Sequence, residues 1–478
     1  MKIVHYALIA LIAFAPQAVL AKARIKVTPA TDHPRGKISV KGSGFQANES
    51  INVRWDNKKL LFTVNSDGSG SFPKQKTKVP KSALPGAHTV NAKGANGDSA
   101  KATFTVTTPW VEHGFTAAGT RDNAYENVIS TSNVGSLVNV WTAALGSFVY
   151  SSPAAANGVV YVGSEDTKLY AFDAATGNVL WTASAGGPID SSPAVANGVV
   201  YVGSEGDKLY AFDASTGSTL WTAATGGKIY SSPAVADGVV YVGSDDYNLY
   251  AFDASTGAQL WSAATGSYIR SSPAVANGVV YIGSDDNNLY AFDAATGATL
   301  WSADLGSLVN SSPALANGVV YDGTSNGELY ALDAATGATL WTAAIKSTQS
   351  SPAVADGVVY IGGDPEENTL YAINAETGAL LWSFTAGTGL TTSPAVANGV
   401  VYEGSRDDIL YALDATSGTL LWSFTAGSVI YSSPTVSDGM VYVGTDGSSD
   451  HKLYAFALGG KNNAAYKKRL TSKQSGNR

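Results

Sequence analysis

The chain has 478 residues, of which only 14% are charged, and it carries 51 Gly with 24 Tyr and 10 Trp against 14 Phe. That bias suits short strands joined by tight turns rather than helices, and the length allows two or more domains or one large all-β domain. The absence of Cys excludes disulfides, thiolate metal sites, a Cys nucleophile and the lipidated Cys of a bacterial lipoprotein, and the formal net charge of −8 hides a strong internal asymmetry.

Residues 1–23 read as a secretory signal peptide: Lys2, an apolar run from Tyr6 to Leu20 broken at Pro16 and Gln17, and small residues at Ala18, Ala21 and Ala23. The run is short for a membrane span, and no later stretch approaches about 18 uninterrupted apolar residues, so no transmembrane anchor is expected. The leader implies a periplasmic or extracellular location.

Residues 24–107 show short alternating runs such as "KISVKGSGF", "SINVRWD" and "KATFTV" separated by turn residues. The alternation predicts a small β-sandwich with Ile38, Val40, Ile51, Val53, Val64, Phe72, Val90, Phe104 and Val106 in its core. It resembles the immunoglobulin-like modules that precede other domains in bacterial surface proteins. "GSG" at Gly42 to Gly44 is a turn between strands, because no helix pattern comes after it. Residues 22–107 carry 15 basic and 5 acidic groups, a net of +10, whereas residues 108–458 carry 8 and 33, a net of −25. The basic module is therefore expected to meet an anionic surface, such as an envelope polymer or this chain's own acidic part.

Residues 108–136 form a lead-in, expected to cover one face of the repeat domain. From there to 458 a repeat dominates. Its Trp residues fall at Trp141, Trp181, Trp221, Trp261, Trp301, Trp341, Trp382 and Trp422, a period of 40 with one step of 41, and eight Pro of a "SP" motif keep the same phase. Each period holds four strand-like pieces, "SSPAVA", "GVVYVGS", "LYAFD" and "TLWTA", punctuated by NG or DG, an acidic tip, and "DAATG". Four strands per 40 residues predict propeller blades. The first Trp strand precedes any "SSP" strand and the last blade lacks a Trp strand, so the ends should complete one blade together, giving an eight-bladed ring over 137–458. Residues 459–478 add 6 basic groups and no acidic ones and are expected to be a disordered tail.

The pattern Ala-x-Asp-x-x-Thr-Gly-x-x-x-Trp, as in Ala171, Asp173, Thr176, Gly177 and Trp181, resembles the tryptophan-docking repeat of pyrroloquinoline quinone (PQQ)-like propellers. It recurs seven times, with Asn374 replacing Asp once and an extra residue before Trp382 and Trp422. The resemblance implies two roles. In quinoprotein dehydrogenases of the family PQQ and calcium sit in the channel, whereas other members are non-enzymatic scaffolds of outer-membrane assembly. Physical chemistry gives the motif a structural task first: Asp173 caps its own turn, Gly177 suits a left-handed position, and each Trp wedges between blades. An element present in every blade cannot mark a single cofactor pocket.

The informative positions are those where near-identical repeats differ. The residue before each inner strand reads Tyr150, Asp190, Tyr230, Arg270, Asn310, Gln349, Thr391 and Tyr431, a ring of ligand-binding candidates expected at the channel mouth beside the acidic tips. Asp322 and Glu403 replace Val or Ile on second strands, and edge exposure is expected of them because burying a carboxylate is costly. No catalytic pair can be chosen. His5, His33, His88, His113 and His451 show no ligand spacing, and no acidic tip holds a full calcium set, so no metal is expected.

The expected function is a non-catalytic binding or scaffold module presenting a propeller face to a protein or envelope-polymer partner, with no cofactor and no nucleic acid. The alternative is a PQQ-dependent dehydrogenase of alcohols or sugars, with calcium. Against it stand the absence of the adjacent-Cys disulfide that the resemblance implies for many alcohol dehydrogenases, the lack of long insertions above the channel, and the near identity of the blades.

Overall fold

A computed structural model describes residues 22–346, 350–363, 368–390, 392–447 and 450–459. It divides into two compact units, one formed by residues up to 106 apart from 84–86, the other by the rest. None of the described residues forms a helix long and apolar enough to cross a membrane. The expected leader, except Lys22 and Ala23, and the tail beyond Gly459 lie outside the described residues.

The first unit contains β1 (Arg24–Thr28), β2 (Thr31–Asp32), β3 (Lys37–Ser43), β4 (Ser50–Trp55), β5 (Lys59–Asn65), β6 (Phe72–Lys78), β7 (Gly86–Gly94) and β8 (Ser99–Val106). They form a three-stranded sheet, β1-β3-β6, and a five-stranded sheet, β2-β8-β7-β4-β5. Period-two alternation turns Ile38 and Val40 from the first sheet and Ile51, Val53, Val90, Phe104 and Val106 from the second into one core cluster with Trp55 and Phe72. Val64 is only half-buried against it. Asp56 and Asn57, both at positive φ (48° and 60°), make the tight turn between β4 and β5.

The second unit contains eight antiparallel sheets of repeated design in a propeller-like arrangement. Each sheet takes a three-residue inner strand such as Ala194–Ala196, a second strand such as Val199–Ser204, a third such as Lys208–Asp213 and an outer strand such as Thr219–Ala224. Asn157 (φ 53°) and Gly158 (φ 80°) turn the first hairpin, and the same pair of conformations recurs at Asn197–Gly198 and Asp237–Gly238. The closing sheet joins the chain's ends, pairing β10 (Leu137–Ala144) with Lys452–Leu458. β9 (Asp122–Asn123) adds a fifth strand, parallel, to the inner strand Ala395–Ala397.

Two repeated hydrogen-bond rings stitch neighbouring sheets. The Ser152 N–H donates to Ser192 Oγ at 2.9 Å, and the relation repeats through Ser232, Ser272, Ser312, Ser351, Ser393 and Ser433, whose N–H returns to Ser152 Oγ at 3.0 Å. Small residues at the axis are thus required for bonding as well as for space. At the periphery each Trp indole N–H donates to a carbonyl of the next sheet, a turn carbonyl from Trp141 to Ala174 at 3.0 Å onward and, for Trp422, that of Leu137 at the start of β10 at 3.2 Å. Gly177, at φ 72°, leaves the room Trp141 needs: a Cβ there would lie 2.6 Å from its ring. The Asp173 carboxylate accepts from the Thr176 N–H (2.9 Å) and hydroxyl (2.7 Å) of its own turn.

Candidate functional site: a plugged channel beneath an acidic mouth

The later part of the lead-in packs on hairpin turns of the repeat, Glu126 and Val128 at Gly439, Ile129 at Asn398 and Thr131 at Gly399. Residues 110–123 run along the inner strands and take up their free edge. Ala155 exchanges hydrogen bonds with Trp110; Val195 donates to Val111 O (2.7 Å), Val275 to Ala117 O (2.5 Å), Leu315 to Ala118 O (2.9 Å), Val354 to Thr120 O (2.9 Å) and Val396 to Arg121 O (2.9 Å). Two side chains complete the circuit: the Glu112 carboxylate accepts from Val235 N–H (3.2 Å), and the Asn123 amide donates to Val436 O (2.8 Å). The inner edges of these sheets are therefore paired with the lead-in at the middle of each inner strand.

Arg121 locks this segment. Its guanidinium is buried and donates to Pro394 O (2.8 Å), Ser393 O (3.1 Å) and His113 O (2.6 Å). Glu403 is its electrostatic partner: Arg121 draws the Glu403 carboxyl down against the stronger effect of burial, which holds it up at about 8. Thr392 donates its hydroxyl to the same carboxylate. Burial likewise raises Glu112 to about 8 and drives His113 well below its ordinary value, leaving a neutral ring. The expectation that Asp322 and Glu403 are edge-exposed is corrected: they are 0% and 1% exposed. Glu403 is held neutral by burial, with the Thr392 hydroxyl and the charge of Arg121 offsetting only part of that effect; Asp322 accepts the Gly323 N–H (2.9 Å) and is pushed well up by burial. Glu112, His113 and Arg121 carry no repeat signal, and the one clue in the sequence was the uncompensated carboxylate at 403.

The cavity left among Glu112, His113, Arg121 and the Ser–Pro ring has a volume of about 20 Å³, enough for about one water. Pockets for ligands of cofactor size begin at about 300 Å³. That cavity, with residues 110–123 in place, is too small for a tricyclic quinone, and among the described residues no group of three or more His, Asp or Glu is arranged to hold a metal ion.

The mouth lies just ahead of the serine ring. Tip residues hydrogen-bond to the loops that precede the inner strands, Glu205 N–H to Pro188 O (3.0 Å), Asp245 N–H to Lys228 O (2.9 Å) and Asp446 N–H to Val429 O (2.8 Å), which brings tips and candidate ring together. The first and second tip positions after the Ser, as in Glu165-Asp166, Asp245-Asp246, Asp285-Asp286 and Arg406-Asp407, divide their work. The second ones, Asp166, Asp246, Asp286 and Asp407, accept hydrogen bonds from Tyr170, Tyr250, Tyr290 and Tyr411 and serve the fold. The first position lies beside the candidate ring and is acidic in five tips among the described residues, whereas Arg406 holds it in the tip of Asp407 and covers Tyr431.

There Glu165, Glu205, Asp245, Asp285 and Asp446 form an arc over five consecutive sheets, joined by Asp190. Burial, then the charges of Glu205, Glu165 and Asp446, raise Asp190 to about 7, and burial also raises Glu165, Asp245, Asp285 and Asp446. Lys228 pairs with Glu205 at 2.7 Å, and Tyr230 donates to the same carboxylate at 3.2 Å. Arg270 lies 3.7 Å from Asp245 and 3.9 Å from Asp285, over the rings of Tyr230 and Tyr268. Tyr150 packs edge-on against Tyr431, which Arg406 covers. Asp190 Oδ1 and Asn310 Oδ1 are buried without a hydrogen-bond partner. Gln349 and Thr391 lie outside the described residues.

The family model described as "Outer membrane protein assembly factor BamB" matches residues 127–189, 169–283, 248–367 and 366–462. The chain belongs to this PQQ-like repeat family. No curated protein sequence matches it. Among solved structures, this BamB-family chain is similar to the quinohemoprotein alcohol dehydrogenase from Comamonas testosteroni (TM-score 0.65, 18% identity, 74% of this chain and 81% of that one). A europium-containing methanol dehydrogenase gives 0.65 at 15% identity, over 73% and 98%, and BamB from Moraxella catarrhalis gives 0.58 at 21%, over 67% and 97%. These likenesses establish the shared fold of scaffolds and dehydrogenases alike.

Proposed function

We propose that the protein is an exported, non-catalytic binding or scaffold module of the cell envelope or its surroundings, built as an eight-bladed PQQ-like propeller behind an immunoglobulin-like module. The observation that carries this is the plug: the chain's own residues 110–123 take the channel axis, leaving the mouth as the place where the blades differ and remain accessible. The leader, the absence of a lipidation Cys and the family description support an extracytoplasmic place.

The acidic arc suits a cationic or amide-rich segment of a partner protein, with Tyr150, Tyr230 and Tyr431 offering apolar faces and Asp190 and Asn310 offering acceptors. Partner recovery from envelope extract by the wild-type chain and by a Tyr150→Ala, Asp190→Ala, Arg270→Ala variant tests it. Recovery should fall at least about tenfold, as loss of a central polar cluster does; unchanged recovery by a folded variant would mean the mouth is ordinary loop.

A second reading, a PQQ-dependent dehydrogenase, draws on a specific finding: the fold comparisons score higher for the two dehydrogenases than for BamB, 0.65 against 0.58. It requires the plug to withdraw, because the cavity beside it is too small for the quinone.

A further inference from the structure

Seven cations share the solvent face of β1-β3-β6. Register places Arg24 opposite Ser43, Lys26 opposite Lys41, Thr28 opposite Ser39, Ser39 opposite Lys76 and Lys37 opposite Lys78. Residues facing one another across a ladder point the same way, so Arg24, Lys26, Lys37, Lys41, Lys76 and Lys78 stand on one side, opposite the Ile38 and Val40 core side. Lys74 joins them at the bulge between Val40 and Gly42. All seven are exposed, and the three strands contain no Asp or Glu. Among the described residues none of the seven is in an ion pair.

Two of the cross-strand pairs, Lys26 with Lys41 and Lys37 with Lys78, set like charges directly opposite, which works against the sheet. Folding gains nothing from this arrangement. Ser39, at the centre of the face, is only 7% exposed, so the lysine stems roof the sheet while their ammonium groups stand in solvent.

We propose that this face is a docking surface for an anionic phospholipid bilayer. The cations fill a patch about 10 Å across three strands and about 20 Å along them. A linear polyanion would engage one line of that grid and leave the rest idle, whereas a plane of headgroup phosphates engages all of it. Six of the seven are Lys, compact point charges suited to mobile phosphates rather than to bidentate recognition. The three strands expose no aromatic ring for stacking on bases or sugars and no large apolar side chain for insertion, so the contact is peripheral and electrostatic. The inference concerns the N-terminal unit alone and stands apart from the mouth.

The test is co-sedimentation of the full chain with phosphatidylcholine vesicles lacking or containing about 30% phosphatidylglycerol, the anionic fraction being what a basic patch reads. The increment due to phosphatidylglycerol should fall at least about tenfold in Lys26→Glu, Lys41→Glu, Lys76→Glu and shrink as salt is raised. A Lys58→Glu, Lys59→Glu control on the β4–β5 turn should keep it. If charge reversal lowers the unfolding midpoint, the three Lys→Gln replacements serve, since they relieve repulsion and retain the fold. No phosphatidylglycerol-dependent binding, equal loss in the control, or capture of soluble polyphosphate without vesicle binding would each overturn the proposal.

Discussion

At the residue scale the Trp motif and the plug make opposite kinds of demand. Trp261 is half-buried, donates to Ala294 O at 3.1 Å and lies over Gly297. Trp261→Ala should cost about 3 kcal/mol, the lower end for removing a packed Trp, read as a shift of the urea midpoint at unchanged slope. Gly297→Ala should also destabilise, because its φ is 72° and its Cβ would sit 2.7 Å from the Trp261 ring. Arg121 behaves differently. Arg121→Met removes its donations to the carbonyls of Pro394, Ser393 and His113 and should cost about 3 kcal/mol. Burial holds Glu403 protonated at neutral pH, so adding Glu403→Val, the residue at the matching positions 162, 202, 242 and 443, should recover only the part due to the interaction of the two groups. No recovery in the double variant would mean that the two groups do not act as a pair.

Glu112 gives a pH signature. Its folded carboxyl holds its proton to about pH 8, whereas an unfolded Glu releases it near about 4.3. Between those values the folded state binds the extra proton, so the contribution is fully present below the unfolded value and is lost as pH rises through the folded one. Stability should therefore fall across this window by at most about 1.4 kcal/mol per pH unit for this group. Glu112→Gln, which keeps an acceptor for Val235 N–H, should flatten the slope; an unchanged profile from pH 5 to 9 in denaturant titrations would remove Glu112 as its source.

At the scale of elements, strands and turns were legible because their causes are local. Alternation, NG or DG pairs and the Asp–Thr–Gly turn each act within a few residues. The plug was not legible. Residues 110–123 have no apolar period of their own, and their order comes from backbone groups donated by inner strands far away in sequence, Val396 to Arg121 among them. The sequence marks the lead-in as outside the repeat without revealing where it goes. Glu403 was misread because its neighbours Thr392 and, 282 positions earlier, Arg121 come together only in the fold, and because burial holds the carboxyl neutral. The mouth was legible as a set of differing positions, whereas the division of the acidic tips into a fold-serving and a ring-side position needed the tyrosine contacts.

At the scale of the whole molecule, the second unit is held by closure. The Trp ring passes through the sheet made from β10, Thr435–Ser437, Met440–Gly444 and Lys452–Leu458, and the serine ring closes at Ser433, which leads into its inner strand. Deleting 435–458 removes the strands that hold β10 and follow Ser433, leaving both rings unsupported at the closure, and should abolish cooperative unfolding of this unit, seen by calorimetry. Rings of hydrogen bonds, a plugged axis and an acidic rim describe the rigid body for which binding at the mouth is proposed. The most direct test is to titrate the purified chain with PQQ and Ca²⁺ and to follow the visible spectrum, the melting temperature and dye-linked oxidation of alcohols and sugars. The account predicts no saturable spectral change, no shift in melting temperature and no turnover. Saturable quinone binding accompanied by turnover would contradict it and show that residues 110–123 leave the channel.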